Sequence, residues 1–324
     1  MDKVVVVSLF DGISGGRLAL QKSNINVLRY YSSEIDKYAV AIADYNWKED
    51  SPFRLGDVRN INGYKLKKEI KKDFGEGVKI LLIGGSPCQN FSFIGKRNGM
   101  TTKDNIEITD LTLYLKLKKE GFEFDGFSYL FWEYVRIKEE LQPDFFFLEN
   151  VKMPKKWSRI IDNILGVKYQ EIDSALVSGQ RRKRFYWFNW ESDDIKDKNI
   201  LLKECLNLSY EWREIPKFAF DYFGNKQRIA AMNWINNKKA NTITTNRTHT
   251  TQYLLNEDKT KCRFLECDEA ELLQTLPINY TKYGRFEKKI KEISKTQRYK
   301  AIGNGWTIDI IAEIFKALKR NNNG

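Results

Sequence analysis

Residues 4–16 read Val4-Val5-Val6-Val7-Ser8-Leu9-Phe10-Asp11-Gly12-Ile13-Ser14-Gly15-Gly16, an apolar run that breaks into a glycine-rich turn. Four consecutive valines suit a strand covered on both faces, the environment of a parallel sheet. A helical pattern follows at once, at Arg17–Ser23. Glycines at such a strand-to-helix junction let the backbone approach a ligand, and the helix start offers free N–H groups. Outward from this unit the alternation continues. A second strand runs up to Glu34 and is followed by a helix near Lys37–Tyr45. Further strands are expected at Val78–Ile83, Asp144–Leu148, Tyr169–Val177 and Arg184–Trp190. This order predicts an α/β fold with a doubly wound, mostly parallel sheet.

Beyond Trp190 the pattern changes to a polar stretch rich in Asn, Lys and Thr, with short strand-like pieces at Asn241–Thr245 and Gln252–Leu255. We therefore expect a first domain over 1–190, a smaller domain over 191–295, and a return to the first over 296–324. Ile308, Ile311, Phe315 and Leu318 mark one face of a final amphipathic helix that packs on the first domain. Met1 precedes the first strand by three residues, so no amino-terminal reader domain is expected.

With 324 residues, 42 % of them apolar, the chain is long enough to bury two cores. No run is long enough to span a bilayer, and Val4–Phe10 lacks the flanks of a signal peptide. Cys88, Cys205, Cys262 and Cys267 form no paired CxxC, and His249 is the lone histidine, so no metal is expected. Free thiols and the absence of an export signal point to the cytoplasm. The net charge of +12 favours a polyanionic partner, and eight Lys or Arg against two Glu between Thr281 and Lys300 concentrate it. A solvated helix face accounts for that segment equally well.

Three acids are placed to meet a nucleoside. Asp11 lies in the first turn, Glu34 ends the second strand, where a carboxylate accepts bonds from ribose hydroxyls, and Asp57 is expected to end a third. Singly, each reads as a strand-end cap. The chain has neither a Walker lysine nor a full G-x-G-x-x-G, which disfavours ATP and NAD. The strand at Val78–Ile83 runs into Gly84-Gly85-Ser86-Pro87-Cys88-Gln89. A lone cysteine is more often an inert apolar residue, but the turn glycines and Pro87 direct this one into the crevice at the strand end.

From these residues the chain resembles the carbon-5 cytosine DNA methyltransferases of bacteria and phages, over nearly its whole length. The Gly-Gly-Ser-Pro-Cys-Gln block with Phe91-Ser92 and Gly95-Lys96 resembles the family's catalytic loop. Glu149-Asn150-Val151 and Gln180-Arg181-Arg182-Lys183-Arg184 resemble its next two motifs. Arg263-Phe264-Leu265 with Glu271, Gln274 and Pro277, and then Gly303-Asn304-Gly305, complete the series in the family's order. Ser14 stands where glycine is usual, Phe127 where arginine is common. Trp306 and the Thr242-Ile243-Thr244-Thr245 run are similar to the mammalian de novo enzymes.

The resemblance implies the S-adenosylmethionine-dependent methyltransferase fold, with residues 191–295 as a target-recognition domain. It implies Cys88 as nucleophile at carbon 6, Glu149 on N3 and the exocyclic amine, and Arg182 and Arg184 on the base carbonyl, with the cytosine flipped out. Cofactor contacts are implied for Phe10, Asp11, Gly12, Ser14 and Gly16, for Glu34, Ile35, Asp57 and Val58, and for Gly84, Pro87, Asn304 and Trp306. DNA contacts are implied for Gln89, Ser92, Lys96 and Arg97. Arg247, His249 and Gln252 are side chains able to read base edges, with Lys217–Arg228 as an alternative segment. The expected partners are double-stranded DNA and a possible cognate restriction endonuclease, with the enzyme acting as a monomer in the nucleoid of a prokaryote or phage-infected cell. A tRNA methyltransferase on the same scaffold and an inactive DNA-binding paralogue are the competing readings. The resemblance offers no template for Thr101–Phe124, where the alternation of Ile106, Ile108, Leu111, Leu113, Leu115 and Leu117 predicts a small β-ribbon.

Overall fold

The computed structural model describes residues 3–87, 100–215, 229–246 and 249–320. In chain order the first half comprises β1 (Lys3–Leu9), α1 (Gly15–Lys22), β2 (Asn26–Ser33), α2 (Lys37–Asn46), α3 (Gly63–Phe74), β3 (Ile80–Gly84), α4 (Leu111–Lys119), α5 (Phe131–Leu141), β4 (Phe145–Val151), α6 (Lys155–Leu165), β5 (Gln170–Asp173) and β6 (Lys183–Phe188). The strands form one sheet in the order β2-β1-β3-β4-β6-β5. β2, β1, β3 and β4 pair in parallel, whereas β6 runs antiparallel to both β4 and β5. The mostly parallel α/β sheet is therefore as expected. Val4, Val5, Val6 and Val7 are all fully buried, alternating between the apolar clusters on the two faces of the sheet.

The second half adds β7 (Arg213–Glu214), β8 (Asn233–Trp234), β9 (Tyr253–Leu255), β10 (Lys261–Phe264), α7 (Cys267–Leu273), β11 (Tyr283–Phe286), β12 (Lys289–Glu292), α8 (Lys295–Asn304) and α9 (Ile308–Arg320). β7-β10-β9-β8 form a small second sheet and β11-β12 a hairpin. The basic segment 281–300 is thus a hairpin followed by a helix, not one helix face. On α9, Ile308, Ile311, Phe315 and Leu318 are buried, and Phe315 meets Phe147 of β4 edge-on at 5.3 Å. The apolar core that holds α1 and α9 continues into Leu265, Ala270 and Leu273 without a break. No described helix is long and apolar enough to cross a membrane.

Several strand expectations fail: the strand expected over Tyr169–Val177 is confined to Gln170–Asp173, and two others do not form at all. Asn241–Thr245 forms no strand; Thr242 and Ile243 bond instead to Arg181 and Gln180. Thr101–Phe124 is not a ribbon. Only isolated bridges, Thr101 to Glu107 and Thr102 to Phe124, remain of it, and residues 111–119 form α4. Asp110 starts that helix by accepting the Leu113 N–H, and Tyr114 and Leu117, three residues apart, are buried while Leu115 is 40 % exposed. The reason lies in α5. Its Glu133 carboxylate is completely buried and accepts from Tyr114 Oη, Lys118 Nζ and Arg136 Nε, and the helical spacing of Tyr114 and Lys118 brings both donors to it. Phe124 then stacks on Tyr129 at 4.4 Å.

Candidate active site

A cavity of about 400 Å³ opens at the carboxyl ends of the parallel strands, within the size range of small-molecule sites. Its floor is the turn after β1. Phe10, Gly12 and Ser14 all take the left-handed conformation there, with φ of 57°, 57° and 58°. At Gly12 this costs nothing, whereas Phe10 and Ser14 are held in it by their surroundings. Asp11 supplies much of that hold. Its buried carboxylate accepts from Ser8 Oγ at 2.7 Å, Tyr30 Oη at 2.6 Å, Ser14 Oγ at 2.6 Å and Arg54 at 3.3 Å. Its side chain is spent on the turn's shape, and so is that of Ser14, which does not line the cavity. Gly16 and Gly84 do not line it either. A Cβ on Gly16 would lie 2.4 Å from Ile83, and one on Gly84 3.0 Å from Tyr134, so both are close-packing positions; Gly85 takes the place expected of Gly84 in the wall.

Glu34 follows β2 and faces the cavity. It accepts from the N–H groups of Gly12 at 2.9 Å and of Ile35 and Asp36 at 2.8 Å each. Burial pushes its carboxyl above the usual range despite those donors. Ile35, 71 % exposed, stands at the rim as an apolar surface. Asp57 ends no strand. It opens a 3₁₀ turn over Val58–Asn60, and Arg59 bonds both its oxygens at 3.0 Å, which holds its carboxyl below the ordinary range. It lines the wall with Val58, but its acceptors are largely taken. Tyr129, Arg59 and Lys300 also line the cavity and were not anticipated; Lys300 pairs with Asp36 at 2.6 Å. The only cue to Tyr129 is the aromatic density of Phe127-Ser128-Tyr129-Leu130-Phe131-Trp132. Phe127 is itself on the cavity and half-exposed.

At the opposite side the antiparallel register of β4 and β6 pairs Val151 with Arg184, which brings the Arg184 guanidinium beside Glu149. Arg184 Nε lies 3.2 Å from Glu149 Oε1, and Trp306 Nε1 donates to Oε2 at 3.1 Å. Asn150 donates to the carbonyl and hydroxyl of Ser86 at 3.2 and 3.0 Å, pinning the turn that ends in Pro87. Pro87 and Asn304 both line the cavity. Cys88, Gln89, Ser92, Lys96 and Arg97 lie outside the described residues.

Arg182 lines the cavity beside Arg184 and also has a part that was not expected. It is buried, and its guanidinium donates to the carbonyls of Ile243 at 3.1 Å, Gly303 at 3.2 Å and Gly305 at 2.9 Å. It clamps the 241–245 run to the end of α8 from the cavity wall. Gln180 and Gln274 act similarly: Gln180 donates to Gln274 at 2.8 Å, and Gln274 donates to the Ile302 carbonyl at 2.9 Å and accepts from Thr307 at 2.7 Å. In the small sheet, Gln252 is fully buried, with its amide on the Thr242 carbonyl and Thr251, because the turn at Thr250–Gln252 tucks it inward as β9 begins. It cannot read base edges from there. His249 is exposed, 2.8 Å from Thr251 Oγ1, while Arg247 and the whole alternative segment Lys217–Arg228 lie outside the described residues.

A family model described as C-5 cytosine-specific DNA methylase matches residues 4–196. The orphan methyltransferase M.SPRI of Bacillus phage SPR is 29 % identical over 300 residues, covering 86 % of this chain and 58 % of its own. The orphan methyltransferase M.Rho11sI of Bacillus phage rho11s is 34 % identical over 220 residues, 64 % of this chain and 37 % of its own. The type II methyltransferase M1.ScrFI of Lactococcus lactis subsp. cremoris is 31 % identical over 206 residues, 60 % and 43 % respectively. The chain thus spans less than two thirds of the length of each of these relatives. Among solved structures, the Dnmt2 methyltransferase of S. pombe superposes with a TM-score of 0.67 at 15 % identity, over 99 % of this chain and 100 % of that one. The Entamoeba histolytica methyltransferase EhMeth gives 0.67 at 16 % identity over 100 % of both. At such identities the likeness concerns the fold.

Proposed function

The chain belongs to the C-5 cytosine-specific DNA methylase family, and from that premise we propose that it methylates carbon 5 of cytosine in double-stranded DNA with S-adenosylmethionine as donor. The observation that carries the proposal is the meeting of three groups at one cavity. The glycine turn with Glu34, the Glu149–Arg184 pair, and Pro87, one residue before Cys88, all face it. The cavity suits the cofactor: open backbone at Gly12, an acid at Glu34 with acceptor capacity to spare, and apolar surface at Ile35, Phe10 and Trp306. When bound, S-adenosylmethionine supplies an electrophilic methyl group to the activated carbon 5.

The chain's own residues do the rest. The base is unstacked into the cavity mouth. The Cys88 thiolate adds at carbon 6, and its electron pair raises the density at carbon 5. Glu149 holds N3 and the exocyclic amine while charge develops, and Arg184 stabilises the carbonyl. Loss of the carbon-5 proton, with the electron pair expelling Cys88, ends the cycle. Residues 191–295 would supply target recognition, around the β7-β10-β9-β8 sheet, and the names of the phage relatives support an enzyme that works without a cognate endonuclease.

The test is bisulfite sequencing of randomised plasmid DNA and of bulk tRNA after incubation with the protein. Protected cytosines should recur in one short DNA sequence. Protection confined to tRNA would transfer the activity to RNA.

Glu34 should act on cofactor affinity alone. Calorimetry should show Glu34→Ala weakening S-adenosylmethionine binding by about tenfold or more, as loss of charge-assisted bonds implies, while Glu149→Gln leaves it nearly intact. Because burial raises the Glu34 pKa, its ionised form is present above that value and lost as pH falls through it. Affinity should therefore begin to decline at a pH above the ~4.3 of an ordinary glutamate, and Glu34→Gln should abolish that dependence. A reversal of the two variants would exchange the roles.

A further inference from the structure

Glu149 has a partner at each carboxylate oxygen: Arg184 Nε as an ion pair 3.2 Å from Oε1, and the Trp306 indole as a hydrogen-bond donor to Oε2. We propose that Trp306 is a positioning residue for Glu149, fixing the carboxylate in the orientation from which it meets the pyrimidine, in addition to walling the cofactor cavity. This rests on the assignment of Glu149 to the base.

The terminal torsion of a glutamate is soft and roughly two-fold, so a lone carboxylate at a cavity wall samples many orientations. The directional bond from the indole, with the Arg184 charge at the other oxygen, removes that freedom. A carboxylate has about four acceptor positions, so these contacts leave a lone pair on each oxygen, one for the N–H of the exocyclic amine and one for a proton shared with N3. Indole N–H only donates. It therefore holds the carboxylate without taking up the proton that the acid shares with N3.

The packing around the indole is built for this contact. Phe147 meets Trp306 edge-on at 5.5 Å, two residues before Glu149 on the same strand, so ring and acid are carried by one rigid element. A Cβ on Gly85 would lie 2.9 Å from Trp306 Nε1 and 3.3 Å from Glu149 Oε2, and one on Gly16 would lie 3.3 Å from the far edge of the ring. The bond has room because both positions are glycine. Trp306 is also one residue past Gly303-Asn304-Gly305, all of which line the cavity, so a single side chain touches the cofactor side and the base side.

The experiment is Trp306→Phe, which keeps an aromatic ring against Phe147 and removes only the donor. Its kcat should fall about tenfold, the scale of one charge-assisted bond, with S-adenosylmethionine Kd within about twofold of the parent by calorimetry and the melting temperature unchanged. Trp306→Ala should lose both rate and cofactor affinity. In a Glu149→Gln background, Trp306→Phe should cause no further loss in single-turnover rate, since the two groups act as a unit. A Trp306→Phe enzyme with parent kcat and weakened cofactor binding, or full additivity of the two substitutions, would overturn the proposal. Failure of the underlying reading looks different: Glu149→Gln would itself turn over at the parent rate.

Discussion

Cys88→Ala should abolish methyl transfer, lowering the rate by about 10⁴ or more, and should form no covalent complex with DNA carrying 5-fluorocytosine. The parent enzyme, supplied with S-adenosylmethionine, should be trapped on that DNA as a complex stable to denaturation. The chemistry is specific. Once the thiolate has added at carbon 6 and the methyl group has reached carbon 5, release requires loss of a proton from carbon 5. Fluorine in that position leaves no proton to remove, so the carbon–sulfur bond persists. Among the described cysteines the alternatives are poor: Cys205, Cys262 and Cys267 are buried, and burial pushes the Cys205 and Cys262 thiols up, away from the nucleophilic thiolate. A trapped complex that survives in Cys88→Ala would place the nucleophile elsewhere. Cofactor binding by calorimetry should be unaltered in the variant, which separates lost chemistry from lost folding.

Glu271→Ala should destabilise the protein by about 3–5 kcal/mol, the cost of breaking a buried charge pair by removing one partner. Glu271 is completely buried on α7. Its carboxylate accepts from the Asn279 N–H at 2.7 Å, the Thr281 N–H at 2.8 Å, the Thr281 hydroxyl and Arg298 at 2.9 Å. Arg298, on α8, also donates to Thr281 Oγ1 at 3.0 Å. Alanine would leave that guanidinium half-paired in an apolar setting and two N–H groups without acceptors. Because α8 leads into Asn304 and Trp306, this pair also holds one cavity wall in place. Urea unfolding should show a lower midpoint at unchanged slope. As a control, Lys316→Ala, which removes the exposed ion pair with Glu313, should change stability by at most about 0.5 kcal/mol. A cost below about 1 kcal/mol for Glu271→Ala would show that water replaces the pair's work.

These residues also show where sequence reading stops. Glu271 and Gln274 were recognisable as a pattern, but their work as connectors between α7, the 279–281 loop and α8 depends on groups brought together only by folding. Gln252 went astray for a related reason, and Arg182 is committed to more than its motif suggested. Both types are suited to touching a base, yet Arg182 meets three carbonyls from residues 243, 303 and 305, and Gln252 folds under its own turn. Nothing in the local sequence records whether a donor faces a cavity or a neighbouring backbone.

The four-valine strand, the glycine turn and the Glu34 position were legible because each depends on neighbours a few residues away: burial on both faces demands a continuous apolar run, and a strand-to-helix turn needs its glycines within it. That the sheet would be mostly parallel followed from the alternation of elements. Long-range partners decided the rest. Leucines at 111, 113, 115 and 117 fit a strand by period, but the buried Glu133 on α5 rewards Tyr114 and Lys118 only at helical spacing, and so α4 is a helix. Arg184 comes beside Glu149 through the antiparallel register of β4 and β6, and Trp306 through the return of the chain's end, 157 residues after that acid. Local rules act over a turn of backbone, whereas a charge buried across the molecule selects among conformations those rules leave equally acceptable.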